Sequence, residues 1–241
     1  HWLLMPTVDS HPQKEEWLDT FLNADSIVTY SDWGRNVLNL QTNNHVKYVV
    51  TTSPGVDLEE FKPEMNNAEI KKALSMHPDS FVIGTVMRNQ KRKLYPELIR
   101  AFEKILDNLN PILAQKTVLY IHSSYPDAGW DFANLVKSSK ASNQIYFSYV
   151  CKNCGAVFAS NFSTEMQCCY RCKQKSAVMP NVNNGLDTSV LAKVINSFDA
   201  YVQYAICEGF GMPQIEAAAC GVPVFTVDYS AMTDVINKLD A

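Results

Sequence analysis

Apolar positions along the chain follow two spacings, one typical of helices and the other of buried strands. The clearest helical stripe lies in residues 95–109, where leucine, isoleucine and phenylalanine recur three or four positions apart. Continuous apolar runs at 81–87 and 222–227 instead indicate strands that are buried on both faces of a parallel sheet. The other predicted strands are 26–31, 46–52, 117–123, 144–150 and 200–206, and the other predicted helices are 14–24, one from 32, 68–76, 131–139, 188–198, 213–219 and one from about 232. Strands that alternate with helices predict an α/β fold with a mostly parallel sheet covered by helices on both faces.

The alternation is interrupted once, at residues 149–180, a segment that holds five of the chain's seven cysteines. Two Cys-x2-Cys pairs occur there, Cys151 with Cys154 and Cys169 with Cys172, and fourteen residues separate the pairs. This spacing predicts a tetrahedral zinc site in a small insertion of the zinc-ribbon type. Four thiolate ligands leave no open position for water, so such a metal is structural rather than catalytic. Unliganded or disulfide-linked thiols are the alternative.

Composition narrows the class of protein. The 241 residues are 46% hydrophobic and 19% charged, which is an ordinary globular balance, and a net charge of −4 does not favour a surface built for nucleic acid. No apolar run approaches the ~20 residues of a membrane span. The odd and clustered cysteines indicate a reduced, cytoplasmic compartment rather than a disulfide framework. The first residue is not methionine and the last helix has no cap, so we expect the natural chain to be longer at both ends.

A glycine-rich turn stands where predicted strand 200–206 passes into the next helix. Glu208 precedes Gly209 and Gly211, and Glu216 follows eight positions after the first carboxylate. Glycines let a ligand approach the backbone N–H groups, and a helix start attracts phosphate. Carboxylates beside a phosphate serve as acceptors for sugar or ribose hydroxyls. The plainer alternative is an ordinary strand–helix turn in which Glu216 favours the helix start electrostatically.

Basic residues follow the buried run 81–87. Arg88 and Lys93 bound this stretch, and Arg92 is an auxiliary candidate. A guanidinium and an ammonium held in place stabilise negative charge that develops on a bound group. A solvated charge run on a loop is the alternative.

Several segments together resemble one family. Residues 208–223 resemble the E-x7-E motif of the retaining glycosyltransferases of family 4, which are GT-B enzymes whose C-terminal half binds the donor. Residues 82–106 are similar to the family's strand–Arg-x4-Lys–helix segment. Residues 24–38 and 53–63 resemble the stretch that closes the N-terminal half and links it to the C-terminal half. The segments follow the family's order, and the match covers most of the chain outside the insertion.

The resemblance implies a domain plan and an activity. It implies a Rossmann-like, nucleotide-sugar-binding C-terminal half at 51–241, with the zinc-ribbon insertion 149–180 inside it and the end of an incomplete N-terminal half at 1–50. The implied reaction moves a sugar from a nucleoside-diphosphate-sugar to a hydroxyl acceptor, with retention of configuration and without a catalytic divalent metal.

The resemblance also implies residue roles. Glu208 contacts the hydroxyls of the donor sugar, Arg88 and Lys93 neutralise the leaving diphosphate, and Glu216 holds the ribose. The backbone that approaches the sugar and diphosphate belongs to Gly209, Phe210, Gly211 and Met212.

Two alternatives stay open. Another GT-B enzyme, such as a nucleotide-sugar epimerase or a phosphorylase, shares the fold. A non-catalytic module would instead use the zinc ribbon to bind nucleic acid or protein, and the insertion's basic residues at 152, 171, 173 and 175 against one glutamate at 165 permit such a partner or an oligomer contact.

Overall fold

The structure is a computed structural model that describes residues 1–181 and 183–239. It contains a three-stranded sheet and an eight-stranded sheet. The strands are β1 (Leu3–Leu4), β2 (Ser26–Thr29), β3 (Val49–Thr51), β4 (Phe81–Val86), β5 (Thr117–His122), β6 (Ile145–Cys151), β7 (Val157–Asn161), β8 (Gln167–Cys168), β9 (Lys175–Val178), β10 (Ala200–Gln203) and β11 (Val224–Thr226). The helices are α1 (Glu15–Asn23), α2 (Asp32–Gln41), α3 (Asn67–Ala73), α4 (Tyr95–Asn108), α5 (Pro111–Lys116), α6 (Phe132–Ser138), α7 (Thr188–Asn196), α8 (Met212–Ala219) and α9 (Met232–Leu239).

The small sheet is parallel and has the order β1-β2-β3. Its core is formed by Ile27 of β2, Phe21 of α1 and Leu38 of α2, all of which are buried. This sheet therefore has a hydrophobic core separate from that of the large sheet.

The large sheet is parallel over the order β11-β10-β4-β5-β6. Alternate residues of β4 and β5 point to opposite faces, so Ile83 and Leu119 belong to one core cluster and Val82 and Val118 to another. Helices α4 and α6 cover the first face, and α7 and α8 cover the second. This arrangement confirms the predicted α/β fold and brings the carboxyl ends of the parallel strands to one edge, where ligands bind in such sheets.

The prediction that both apolar runs are buried throughout is wrong at two phenylalanines. Phe81 is 47% exposed and Phe225 is 60% exposed. The reason is that β11 lies at the edge of the sheet, and α4 leaves an open apolar hollow between itself and Phe81, Val202 and Phe225.

Segment 149–180 carries more regular structure than its sequence pattern predicts. Strands β7 and β9 both pair with β6 in antiparallel fashion, and β8 pairs with β9. The insertion therefore extends the large sheet by hydrogen bonding instead of forming a separate body.

None of the helices within residues 1–181 and 183–239 has both the length and the apolar character needed to cross a bilayer.

Candidate functional site

The glycine-rich turn connects β10 to α8 at the carboxyl edge of the large sheet. Gly211 has a φ of 90°, a left-handed conformation that side chains disfavour, and a Cβ there would overlap the amide of Gln214. A Cβ on Gly209 would overlap the methyl group of Thr7. Both positions therefore require glycine, one for its backbone conformation and one for the close approach of the N-terminal segment.

Glu208 is a buried carboxylate with three partners. It is 6% exposed, accepts a hydrogen bond of 2.6 Å from Gln203 Nε2, and forms an ion pair of 2.8 Å with Arg92 Nη1. Lys93 Nζ contacts the same Glu208 oxygen that accepts the hydrogen bond from Gln203. Burial of a charge is costly unless it is paired and hydrogen-bonded, so these partners make the position of the carboxylate possible.

The backbone of Glu208 is also fixed. Its N–H donates to Ser230 Oγ at 3.0 Å, and the Ser230 hydroxyl donates to the Glu208 carbonyl at 2.9 Å. Ser230, four residues after the end of β11, therefore holds the start of the glycine-rich turn.

Opposing effects act on the protonation of Lys93. Burial lowers the pKa of its ammonium, and the neighbouring Arg92 guanidinium lowers it further. Contact with the Glu208 carboxylate favours the charged form. The backbone around Lys93 is anchored by Trp130, whose Nε1 donates to the Lys93 carbonyl at 2.6 Å.

Arg88 lies apart from Glu208. Its Nε and Nη2 donate to Asp127 at 2.8 and 3.1 Å, and its side chain is 54% exposed. The Arg88 guanidinium, together with the Ser124 hydroxyl, holds the pKa of the Asp127 carboxyl well below its usual range. The structure thus brings Lys93 to Glu208 and places Arg88 against a different carboxylate.

Two hollows flank the start of α8. The first, which we call the turn hollow, is lined by residues 208–212 and Arg92, with Thr7, Asp9 and Tyr30 on its N-terminal side. The second, which we call the strand-end hollow, is lined by residues that include Arg88, His122, Pro180, Asn181 and Pro213. Because Met212 lines one hollow and Pro213 the other, the two meet at the first turn of α8.

His122 lines the strand-end hollow, whereas Glu216 is not among the residues that line either hollow. Glu216 follows Pro213 by three positions, so both lie on one face of α8, and burial raises the pKa of its carboxyl. Burial lowers the pKa of His122 to about 4, and its Nδ1 lies 2.8 Å from Ser148 Oγ. The imidazole is therefore neutral near pH 7.

The four cysteines of the two Cys-x2-Cys pairs come together in space. Their sulfur atoms all lie within 4.8 Å of one another, with Cys151 and Cys172 3.6 Å apart and Cys154 and Cys169 3.7 Å apart. A tetrahedral zinc ion with Zn–S bonds of ~2.3 Å requires sulfur–sulfur separations of about 3.8 Å. A disulfide requires about 2 Å. The distances fit a metal site and do not fit disulfide bonds.

Local hydrogen bonds favour the thiolate form in part of this cluster. The Ser176 hydroxyl, at 3.1 Å from the sulfur, and the backbone N–H groups of Cys154 and Asn153 lower the pKa of Cys151 to about 6. Cys168 is exposed and is not one of the four clustered thiols. The choice of Cys169 over Cys168 as a ligand agrees with this geometry.

Sequence patterns did not identify all of the residues that build the site. They predicted the turn and its acidic and basic residues, but they indicated no role for Gln203, Asp127 or Trp130. Gln203 offered a signal, because it is a polar residue inside an apolar strand. Asp127 and Trp130 offered none, because both lie in an irregular loop that only the fold brings near the basic stretch.

Comparisons with known proteins bear on this geometry. Residues 181–240 match the family model described as Glycosyl transferases group 1. A D-inositol 3-phosphate glycosyltransferase from Actinosynnema mirum is 25% identical over 180 residues, which are 73% of this chain and 34% of that protein. This chain therefore spans about a third of the length of that curated relative.

Solved structures share the fold at low identity. Sucrose-phosphate synthase from Thermosynechococcus elongatus superposes with a TM-score of 0.63 at 19% identity, over 93% of this chain and 49% of that one. The pneumococcal O-GlcNAc transferase GtfA, in complex with UDP and GlcNAc, gives a TM-score of 0.63 at 14% identity, over 97% of this chain and 39% of that one. The family match is confined to the last quarter of the chain, and the solved structures show that the fold is shared.

Proposed function

We propose that this chain contains the donor-binding half of a glycosyltransferase that moves a sugar from a nucleoside diphosphate to a hydroxyl acceptor. The observation that carries the proposal is the meeting of a glycine-rich helix start with the buried Glu208–Lys93 pair at the carboxyl edge of the sheet. The family match over residues 181–240 includes this turn.

The diphosphate lies at the first turn of α8. Pro213 has no N–H and the Gln214 N–H donates to the Gly211 carbonyl at 3.2 Å, so the helix dipole and the other N–H groups of the glycine-rich turn supply the positive potential there. Because the turn hollow and the strand-end hollow meet at Met212 and Pro213, a diphosphate at this point reaches a sugar on one side and a nucleoside on the other.

The sugar occupies the turn hollow and the nucleoside occupies the strand-end hollow. Glu208 then accepts hydrogen bonds from the sugar hydroxyls. Glu216, on the same helix face as Pro213, accepts them from the ribose. A UDP-sugar is the donor class we favour, because the similar pneumococcal transferase binds UDP and GlcNAc.

The cations stabilise the leaving group. As the bond between the anomeric carbon and the β-phosphate oxygen breaks, negative charge builds on that oxygen, while the carbon bonds to the acceptor hydroxyl and the hydroxyl proton is released. We assign the stabilisation of this charge to Lys93 and Arg92, which both contact Glu208, and to Arg88, which lines the strand-end hollow. We propose that these groups act without a divalent metal and that the anomeric configuration is retained.

The four clustered cysteines hold a structural zinc ion. The sulfur separations and the exclusively thiolate donor set suit zinc, and no position remains for substrate or water. The metal supplies folding stability to a segment whose β8 strand has only two residues.

A transfer assay tests the proposed activity. With a labelled nucleotide-sugar and a hydroxyl acceptor, we expect a glycoside that keeps the anomeric configuration of the donor, at a rate that does not depend on added Mg²⁺ or Mn²⁺. Lys93→Ala is expected to slow transfer by ~10²–10³-fold, because one stabilising donor is lost. Lys91→Ala is the matched control, since Lys91 Nζ lies over the Trp130 ring at 4.2 Å and has no place in the Glu208 pair.

Three outcomes would contradict this reading. An epimerised nucleotide-sugar as the only product indicates an epimerase. A sugar phosphate formed from inorganic phosphate indicates a phosphorylase. Equal transfer rates for Lys93→Ala and the unaltered protein remove the leaving-group role of Lys93.

Metal analysis tests the zinc site. We expect elemental mass spectrometry to find about one zinc ion per chain. Cys172→Ser is expected to lose this ion, because it removes one of the four ligands. Cys168→Ser is the control and keeps the metal, because the Cys168 thiol is exposed and outside the cluster. Purified chain without zinc, or an equal loss in both variants, refutes the assignment.

A further inference from the structure

The cysteine-rich insertion reaches the ligand edge of the sheet through β9. Tyr146 and Phe147 of β6 pair with β5 on one side and with β7 on the other. Val150, nearer the end of β6, pairs with Val157 of β7 and with Val178 of β9. Strand β9 therefore lies on the β5 side of β6, beyond the end of β5, and its last residue, Val178, is the one nearest to β5.

The four cysteines hold the end of β6 and the turn before β9. Cys151 is the last residue of β6, and Cys169 and Cys172 belong to the turn between β8 and β9. Lys152 N–H donates to the Ser176 carbonyl at 3.0 Å, and Cys169 N–H donates to the Gln174 carbonyl at 2.9 Å. A metal bound to all four sulfurs therefore joins the beginning of β9 to the end of β6.

The other end of β9 forms a wall of the strand-end hollow. Two residues after β9, the Pro180 carbonyl accepts a hydrogen bond of 3.1 Å from the Tyr125 N–H, in the loop that follows β5. Pro180 and Asn181 then line the hollow opposite Arg88 and Pro213. A displacement of β9 would move this wall directly.

Strand pairing alone holds β9 weakly. Its register with β6 comprises two pairs, Val150 with Val178 and Cys151 with Ala177, and β8 has two residues. Such short ladders are marginal without further support, whereas a four-thiolate metal site contributes a large share of the folding free energy of a small segment.

We propose that the metal at Cys151, Cys154, Cys169 and Cys172 acts as a positioning device for the nucleotide site, by holding β9 so that Pro180 and Asn181 form the wall of the strand-end hollow. The functional consequence, tighter binding of the nucleoside part of the donor, rests on the function proposed above. The coupling between metal and wall rests only on the zinc site and not on the transferase activity.

Hydrogen–deuterium exchange with and without the metal tests the coupling. The full chain is compared before and after zinc removal by a chelator, and as Cys172→Ser beside Cys168→Ser. On metal loss, we expect at least tenfold faster exchange in peptides that contain Tyr125 and residues 177–181, while peptides from β4 and β5 stay protected and show that the fold persists. Cys168→Ser is expected to exchange as the unaltered chain does.

Titration with UDP separates the two proposals. We expect at least a tenfold loss of UDP affinity on metal removal. Unchanged exchange at Tyr125 and residues 177–181 in metal-free protein overturns the coupling, even if UDP binds. Faster exchange there in a chain that binds no UDP in either state upholds the coupling and overturns the proposed donor site.

Discussion

Glu208 shows how single residues make the site possible. Its carboxylate contacts two cations, Arg92 and Lys93, and accepts a hydrogen bond from Gln203. Removal of any one partner leaves a buried charge less compensated, which costs more than the contact itself contributes. Substitutions at Glu208 therefore report on stability as well as on donor binding, and Glu216 is the clearer residue to alter.

Glu216 gives a residue-scale prediction that depends on pH. Burial raises the pKa of Glu216, so the folded state binds the proton more tightly than the unfolded state does. At pH values above the usual pKa of a glutamate, the ionised Glu216 side chain therefore destabilises the folded state. Glu216→Gln is expected to raise the melting temperature at pH 7, with the gain shrinking as the pH falls through the range in which Glu216 is protonated. Thermal unfolding across pH 4–8 measures this. A gain that is constant with pH, or greatest at acid pH, contradicts it.

A single buried lysine joins helix α3 to the starts of two strands. Lys71 of α3 is buried, and its ammonium donates at 2.7 Å both to the Ser80 carbonyl before β4 and to the Asp199 carboxylate before β10. Asp199 also accepts the Val82 N–H at 2.7 Å. One side chain thereby fixes where two neighbouring parallel strands begin.

Loss of this contact is expected to be costly. Lys71→Ala leaves Asp199 without its cation and is expected to destabilise the chain by about 3 kcal/mol. Lys72→Ala, at the exposed next position, is expected to change stability by less than about 0.5 kcal/mol. Urea denaturation of both variants gives the comparison. Equal stabilities would show that the buried ion pair does not hold the strand starts.

Prediction of elements from sequence succeeded where burial was periodic. The helix at residues 95–109 and the strands at 81–87 and 117–123 are confirmed within two residues. The short α5 and strands β7 to β9 were not predicted, because two- to six-residue elements carry too few periodic positions, and β8 and β9 depend on pairing partners distant in sequence.

On the scale of the whole molecule, the site could be predicted in part. The E-x7-E spacing located the turn, because glycine, proline and carboxylate requirements are local. The orientation of Arg88 toward Asp127 could not be predicted, because those two residues are 39 positions apart and meet only through the order of β4 and β5 in the sheet. The contribution of Thr7 and Asp9 to the turn hollow likewise depends on how the small sheet lies against the large one.

The proposed donor site depends on the binding of a diphosphate at the start of α8 with the help of Lys93. Calorimetric titration of this chain with UDP, ADP and GDP, each beside its own nucleoside, measures that binding. We expect at least one diphosphate to bind about 100-fold more tightly than its nucleoside, since charged hydrogen bonds worth about 3 kcal/mol are gained, and we expect Lys93→Ala to remove most of that difference. Equal affinities for diphosphates and nucleosides, or no binding by any of them, would contradict the account.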